Sequence, residues 1–161
     1  MDKFVKLAKD SIQYYIENKK YLKEYDQSFK DNHNGVLIII RQNGKNEISG
    51  SIYPTRANIG LDIIYESVNA TIFNNAIDMT DNDISDLYIS VYEATKIEQI
   101  KDMNEFGVYH GLLLKFNNFD YLAFRNDYES DYQMYEDIKD RANVDEDDIY
   151  SLYKFKGTRH I

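Results

Sequence analysis

The segment GVLIIIRQNGKNEISGSIYPT, from Gly35 to Thr55, restricts the fold more than any other part of the chain. Val36 to Arg41 is an apolar, β-branched run too short for a helix, and it reads as a strand buried on both faces. Asn43-Gly44 follows it. That pair suits a tight hairpin turn, because both central positions need positive φ. Ile48 to Tyr53 is then the return strand. Gly50 inside it marks a bulge or a close backbone approach. Pro54, the only proline of the chain, has no N–H to give a sheet and ends the strand. The corner Ser49-Gly50-Ser51-Ile52-Tyr53-Pro54-Thr55-Arg56 crowds small, polar and charged groups beside two apolar strands. A site is expected there.

The remaining segments fall around this hairpin. Asp2 to Asn18 places Phe4, Val5, Ala8, Ile12, Tyr15 and Ile16 at helical spacing. Between Lys19 and Asn34 the apolar signal thins to Tyr21, Leu22, Tyr25 and Phe29, which leaves both a continued helix and a loop open. After Pro54, Thr55 is read as the N-cap of a helix carrying Ile59, Leu61, Ile63, Ile64, Val68 and Ile72. Thr80 and Asp83 have the spacing of a capping box. Leu87 to Glu93 alternates like a half-buried strand, and Ile97 to Met103 is a weaker apolar stretch. Gly111–Phe116 and Phe119–Phe124 flank Asn117-Asn118 as a second hairpin. Ser130 to Ala142 reads as a helix and Tyr150 to Lys156 as a closing strand. Hairpins with helices placed between them predict an α+β fold with a mainly antiparallel sheet and flanking helices.

Composition narrows the function classes. The chain has 161 residues, 43% of them hydrophobic and 29% charged, which suits one domain with a real core. A net charge of -9 argues against a nucleic-acid partner, which would need a basic footprint. The absence of cysteine excludes disulfides, thiolate metal sites and cysteine nucleophiles within the chain. The opening MDKFVKLAKDSIQYY carries charges every few residues and does not read as a signal peptide. No apolar run approaches the ~20 residues of a membrane span. A soluble cytoplasmic protein is expected.

Several short motifs stand in a familiar order. Leu7-Ala8-Lys9-Asp10-Ser11-Ile12 with Tyr15 is similar to an LAR-x-A-[IL]-x-x-[YL] helix, and Gly35-Val36-Leu37-Ile38 to G-V-F-V. Ile48 to Tyr53, followed by Pro54-Thr55, stands where L-R-G-C-I-G and P-T would be. Asn69-Ala70, Thr80 to Ile84, Leu87 to Val91, His110-Gly111-Leu112, Arg141 to Val144 and Leu152 to Phe155 continue the series. In this order the chain resembles the AMMECR domain family, the protein-A component of the AmmeMemoRadiSam group, over most of its length. The resemblance implies one AMMECR-like α+β domain over residues 1–161, built as a larger and a smaller subdomain. It implies a Memo-like or radical-SAM protein as partner. The chain departs from the pattern where Ser49 replaces the family's arginine, Ser51 its cysteine and Tyr53 its final glycine.

Two chemistries compete for the corner. Ser51 with His110 could form a nucleophile and base if the fold joined them, yet no G-x-S-x-G elbow supports this. Arg56, beside a helix start, suits a carboxylate or phosphate. Arg125 and Asn126 are further candidates for such a pocket. Ser49, Gly50, Ser51, Thr55, Arg56, Asn69 and His110 are therefore the expected ligand-binding set. Asp78, Asp81, Asp83 and Asp86 fail the EF-hand pattern, which wants glycine at the sixth position and an acid at the twelfth. His33, His110 and His160 are scattered singly, so no metal is expected. Without G-x-G-x-x-G or Walker A motifs, no nucleotide cofactor is expected either. The leading expectation is an accessory domain binding a small anionic ligand or a protein partner at the corner. An enzyme using Ser51, His110 and Arg56 is the rival, and a homodimer through a sheet edge or tyrosine-rich face is a third reading.

Overall fold

The computed structural model describes residues 1–79 and 84–161. The fold is α+β. The described residues form a six-stranded antiparallel sheet with three α-helices. The strands are β1 (Gly35–Gln42), β2 (Lys45–Ser51), β3 (Tyr88–Ile100), β4 (Gly111–Phe116), β5 (Phe119–Phe124) and β6 (Ser151–His160). Their order in the sheet is β2-β1-β3-β6-β4-β5. The helices are α1 (Lys3–Asn18), α2 (Ile59–Thr71) and α3 (Asp131–Ala142). The chain divides into two compact units: residues 1–94 with 158–161, and residues 95–157. The capping box expected at Thr80 and Asp83 lies outside the described residues.

In the first unit, β1 pairs antiparallel with β2 and with β3. The two neighbours take up the N–H and C=O groups along its edges, and β1 is buried on both faces from Gly35 to Ile40. Val36, Ile38 and Ile40 join the core formed with Ile12 of α1 and Ile59, Ile63 and Ile64 of α2. Each such side chain, fully buried, contributes about 1.5–3 kcal/mol. The β1–β2 turn is Asn43-Gly44, at φ 50° and 81°, as the sequence predicts. Asp2 caps α1, its carboxylate accepting from the Phe4 and Val5 amides. Lys19 ends that helix in the left-handed conformation, at φ 56°. Beyond it the chain is irregular except for a single 3₁₀ turn, Gln27–Phe29.

In the second unit, β4 pairs antiparallel with β5 through Asn117-Asn118 and with β6 on its other side. Helix α3, capped by Ser130, packs Met134 and Ile138 against Leu112, Leu114 and Leu152.

Four boundaries differ from expectation, the first being that of β2, which spans Lys45–Ser51 rather than Ile48 to Tyr53. Residues of β3 are buried continuously from Ile89 to Ala94, with no alternation, and the strand runs on to Ile100. A strand covered on both faces reads as a continuous buried run rather than an alternating one, and β3 is an interior strand of the sheet, between β1 and β6. β6 continues to His160. Thr55 is not the cap of α2: Asn58 holds that position, its side-chain oxygen accepting from the Leu61 amide at 3.0 Å.

Candidate functional site

Two glycines shape the corner. Gly50 pairs with Leu37 across the β1–β2 ladder and sits at φ 115°. A Cβ there would lie 2.3 Å from the Val36 carbonyl oxygen. Gly35 is as constrained, since its Cβ would meet the Ile52 carbonyl at 2.1 Å. Only backbone without a side chain can pass at these distances. Directly after Gly50, the Ser51 hydroxyl accepts from the Tyr53 amide at 3.1 Å and ties off the bend.

The polar groups that follow converge on two acids of α2. Asp62 is only 2% exposed. It accepts from the Thr55 amide at 3.1 Å, from the Thr55 hydroxyl at 2.7 Å and from Arg56 Nη1 at 3.0 Å. Glu66, one turn on, accepts from Arg56 Nη1 at 3.2 Å, from Ser49 Oγ at 2.5 Å and from Asn69 Nδ2 at 3.3 Å. The structure therefore joins Ser49, Thr55, Arg56 and Asn69 into one network. One guanidinium faces two carboxylates, so the cluster carries no surplus positive charge. The distances define a closed structural brace, since buried charges persist only when paired and hydrogen-bonded.

Arg56 has a further neighbour. Its guanidinium lies 4.7 Å from the Tyr65 ring centroid, and Tyr65 stacks on Tyr21 at 4.0 Å. Tyr21 and Tyr65 also line a groove of about 550 Å³. Lys19, Lys20, Lys23 and Lys30 contribute its charge, and Leu22, Tyr25 and Leu61 its apolar wall. Local structure explains why these residues meet. The left-handed turn at Lys19 releases the chain from α1. Tyr25 then docks on the first turn of α2, where a Cβ on Gly60 would come within 2.5 Å of its ring. The Tyr25 hydroxyl and the Asn58 side chain exchange hydrogen bonds at 3.1 and 3.3 Å. Among the ion pairs of the described residues, none involves Lys19, Lys20, Lys23 or Lys30. Lys30 is turned toward the Tyr25 ring, 5.4 Å from its centroid.

His110 belongs to the second unit, whereas Ser51 belongs to the first, so neither unit holds both. The His110 Nδ1 accepts from the Gly157 amide at 3.2 Å, which places any ring proton of the neutral form on Nε2. Arg125, also in the second unit, bonds Asp131 at 2.5 Å and the Tyr128 carbonyl at 2.8 Å.

A third polar cluster closes the end of β6 against the start of α1. His160 Nδ1 lies 2.9 Å from Asp2 and Nε2 lies 3.1 Å from Glu93. Each ring nitrogen that carries a proton donates to the carboxylate it faces. Phe4 stacks on the imidazole at 3.8 Å. Asn32 and Asn34 each donate to the second Glu93 oxygen at 2.8 Å. Burial pushes the Glu93 carboxyl up, but hydrogen bonds from Asn32, Asn34 and His160 outweigh it and hold it below its ordinary value. The Asp2 carboxyl is lowered in the same way, burial being outweighed by its bonds to His160 and to the Phe4 and Val5 amides.

Sequence reasoning named Arg56 but missed its partners Asp62 and Glu66, and it missed the lysine groove. The available signals were an acid pair at i, i+4 on α2 and the Lys19-Lys20-x-x-Lys23 run. Among the described residues, no group of three or more His, Asp or Glu is arranged to hold a metal ion. No helix among them is long and apolar enough to cross a membrane.

No family model matches the chain, and no curated protein matches it by sequence. A solved structure does share the fold. The crystal structure of an uncharacterised protein, PH0010, from Pyrococcus horikoshii superposes with a TM-score of 0.73, over 99% of this chain and 91% of that one. The two are 16% identical, so the likeness speaks for the α+β architecture alone.

Proposed function

We propose that the chain is an accessory, non-catalytic cytoplasmic domain of the AMMECR type that binds a small anionic ligand in its first unit. The observation that carries this reading is the lysine groove. Four ammonium groups surround it without a carboxylate partner among the described residues, in a chain whose net charge is -9. In the first unit Arg56 and Lys6 are paired with acids, whereas the groove lysines, like Lys9 and Lys45, have no ion pair among the described residues; what distinguishes the four is that they line one concavity. In such an acidic protein, cations left open around a concave surface favour an external anion as their partner. The corner then acts as the wall: Ser49, Thr55, Arg56 and Asn69 fix Glu66 and Asp62, and Arg56 holds Tyr65 in place. Weighing against catalysis, Ser51 is engaged by its own turn, and Asp62 and Glu66 nearby each accept three hydrogen bonds from the corner. The motif resemblance supports an accessory role beside a Memo-like or radical-SAM partner.

The test is a thermal-shift titration with inorganic phosphate at low ionic strength. The wild-type chain is expected to gain melting temperature. The double variant Lys20→Gln/Lys23→Gln is expected to lose about tenfold or more in affinity, since each charge-assisted bond contributes about 1.5 kcal/mol. An equal shift in both proteins would remove the ligand from this groove.

A further inference from the structure

We infer that the ligand of the lysine groove is a free amphiphilic organic anion, in which a phosphate- or carboxylate-class group is joined to a small apolar body. This rests on the binding reading above and names its ligand class. Only three kinds of side chain line the groove: lysine, tyrosine and leucine. Among the described residues it has no carboxylate and no carboxamide, and no serine or threonine hydroxyl. An ammonium has three donors and no acceptor. The rim therefore repels cations and attracts anions. Of the three tyrosines at the groove, Tyr25 has its hydroxyl engaged with Asn58.

The rest of the lining is apolar. Leu22 and Leu61 present aliphatic surface, and the Tyr65 ring, covered by Tyr21 and Arg56, forms a fixed wall. Charge at the rim and hydrocarbon beside it select a ligand with the same two-part character. About 550 Å³ falls within the size range of small-molecule sites, roughly 300–1,000 Å³. The segment that supplies the lysines, residues 19–30, holds four cations against Glu24 and Asp26. It therefore offers local attraction where the chain as a whole would repel an anion. That attraction is screened over about 10 Å at 0.1 M salt, so binding should weaken as salt rises.

Calorimetric titration of the wild-type chain with phenyl phosphate, glucose 6-phosphate and inorganic phosphate tests the inference. All three carry phosphate, and only the first adds an apolar body. Phenyl phosphate is expected to bind about tenfold tighter than the other two, the effect of partly burying one ring. Leu61→Ala is expected to weaken phenyl phosphate about threefold more than it weakens inorganic phosphate. Equal affinity for the three compounds overturns the amphiphile inference while the anion reading stands. No binding of any of them overturns both. Co-sedimentation with phosphatidylglycerol vesicles, without affinity for phenyl phosphate, would place the phosphate on a lipid headgroup and overturn the claim of a free ligand.

Discussion

Arg56 and the lysines at 19, 20, 23 and 30 share a neighbour, Tyr65, but their charges are treated in opposite ways. The guanidinium is closed by Asp62 and Glu66 at 3.0 and 3.2 Å. The lysines have no acid partner among the described residues and face an open groove. A cation drawn into a hydrogen-bonded network with a buried acid serves the fold, because losing either member leaves an uncompensated charge. Exposed cations around a concavity contribute almost nothing to stability and remain available to a ligand.

The difference can be broken from either side. The largest effect should come from Gly50→Ala, whose new methyl would meet the Val36 carbonyl in a backbone region that alanine avoids. A loss of about 4 kcal/mol in urea unfolding is expected. Gly60→Ala also meets an obstacle, but it is the Tyr25 ring, which can swing aside. That variant should lose less than half as much stability and bind anions more weakly, because Tyr25 lines the groove. Next in size is Arg56→Ala, which strands Asp62 in a site 2% exposed and should cost about 3 kcal/mol by the same assay. A loss below about 0.5 kcal/mol would mean that the corner is not a brace.

The cluster at His160 offers a second closed network with a pH signature. The Glu93 and Asp2 carboxyls are held below their ordinary values, so their contribution is complete above the unfolded carboxyl range, about pH 4–4.5. It is lost as pH falls through the lowered folded values. His160→Gln should reduce stability at pH 7 by about 2 kcal/mol and flatten the acid limb of the stability curve. An acid limb that matches wild type would disconnect His160 from it. The smallest effect is Ser51→Ala, which removes one hydrogen bond to the Tyr53 amide and should cost about 1 kcal/mol or less.

Much of the fold was legible in the sequence. Both hairpins were visible because asparagine and glycine in the turns answer a local backbone need. The α1 and α3 faces followed from periodicity. The full lengths of β3 and β6 did not, because Thr95, Lys96, Glu98, Gln99 and Thr158 to His160 carry polar side chains whose pairing comes from neighbouring strands rather than local preference. For the corner, Gly50 was legible as a close approach. Asp62 was not: an acid in the first turn of a helix usually faces water, and only the tertiary approach of Thr55 and Arg56 buries it. The lysine groove escaped because residues 19–30 have no periodicity. Its form depends on Tyr25 reaching α2 through Gly60, a contact between segments 35 residues apart in sequence.

The most direct test compares the two charge clusters in one assay, measuring both the melting temperature and its increase with phenyl phosphate for wild type, Arg56→Gln and Lys20→Gln/Lys23→Gln. The account predicts that Arg56→Gln melts several degrees lower and keeps most of the ligand-induced increase, losing only what the Arg56 contact with Tyr65 adds to the groove wall. It predicts that the double lysine variant melts with wild type, within about 0.5 kcal/mol of its stability, and loses the increase. An increase that vanishes in Arg56→Gln and persists in the lysine variant would contradict it and return the binding site to the corner.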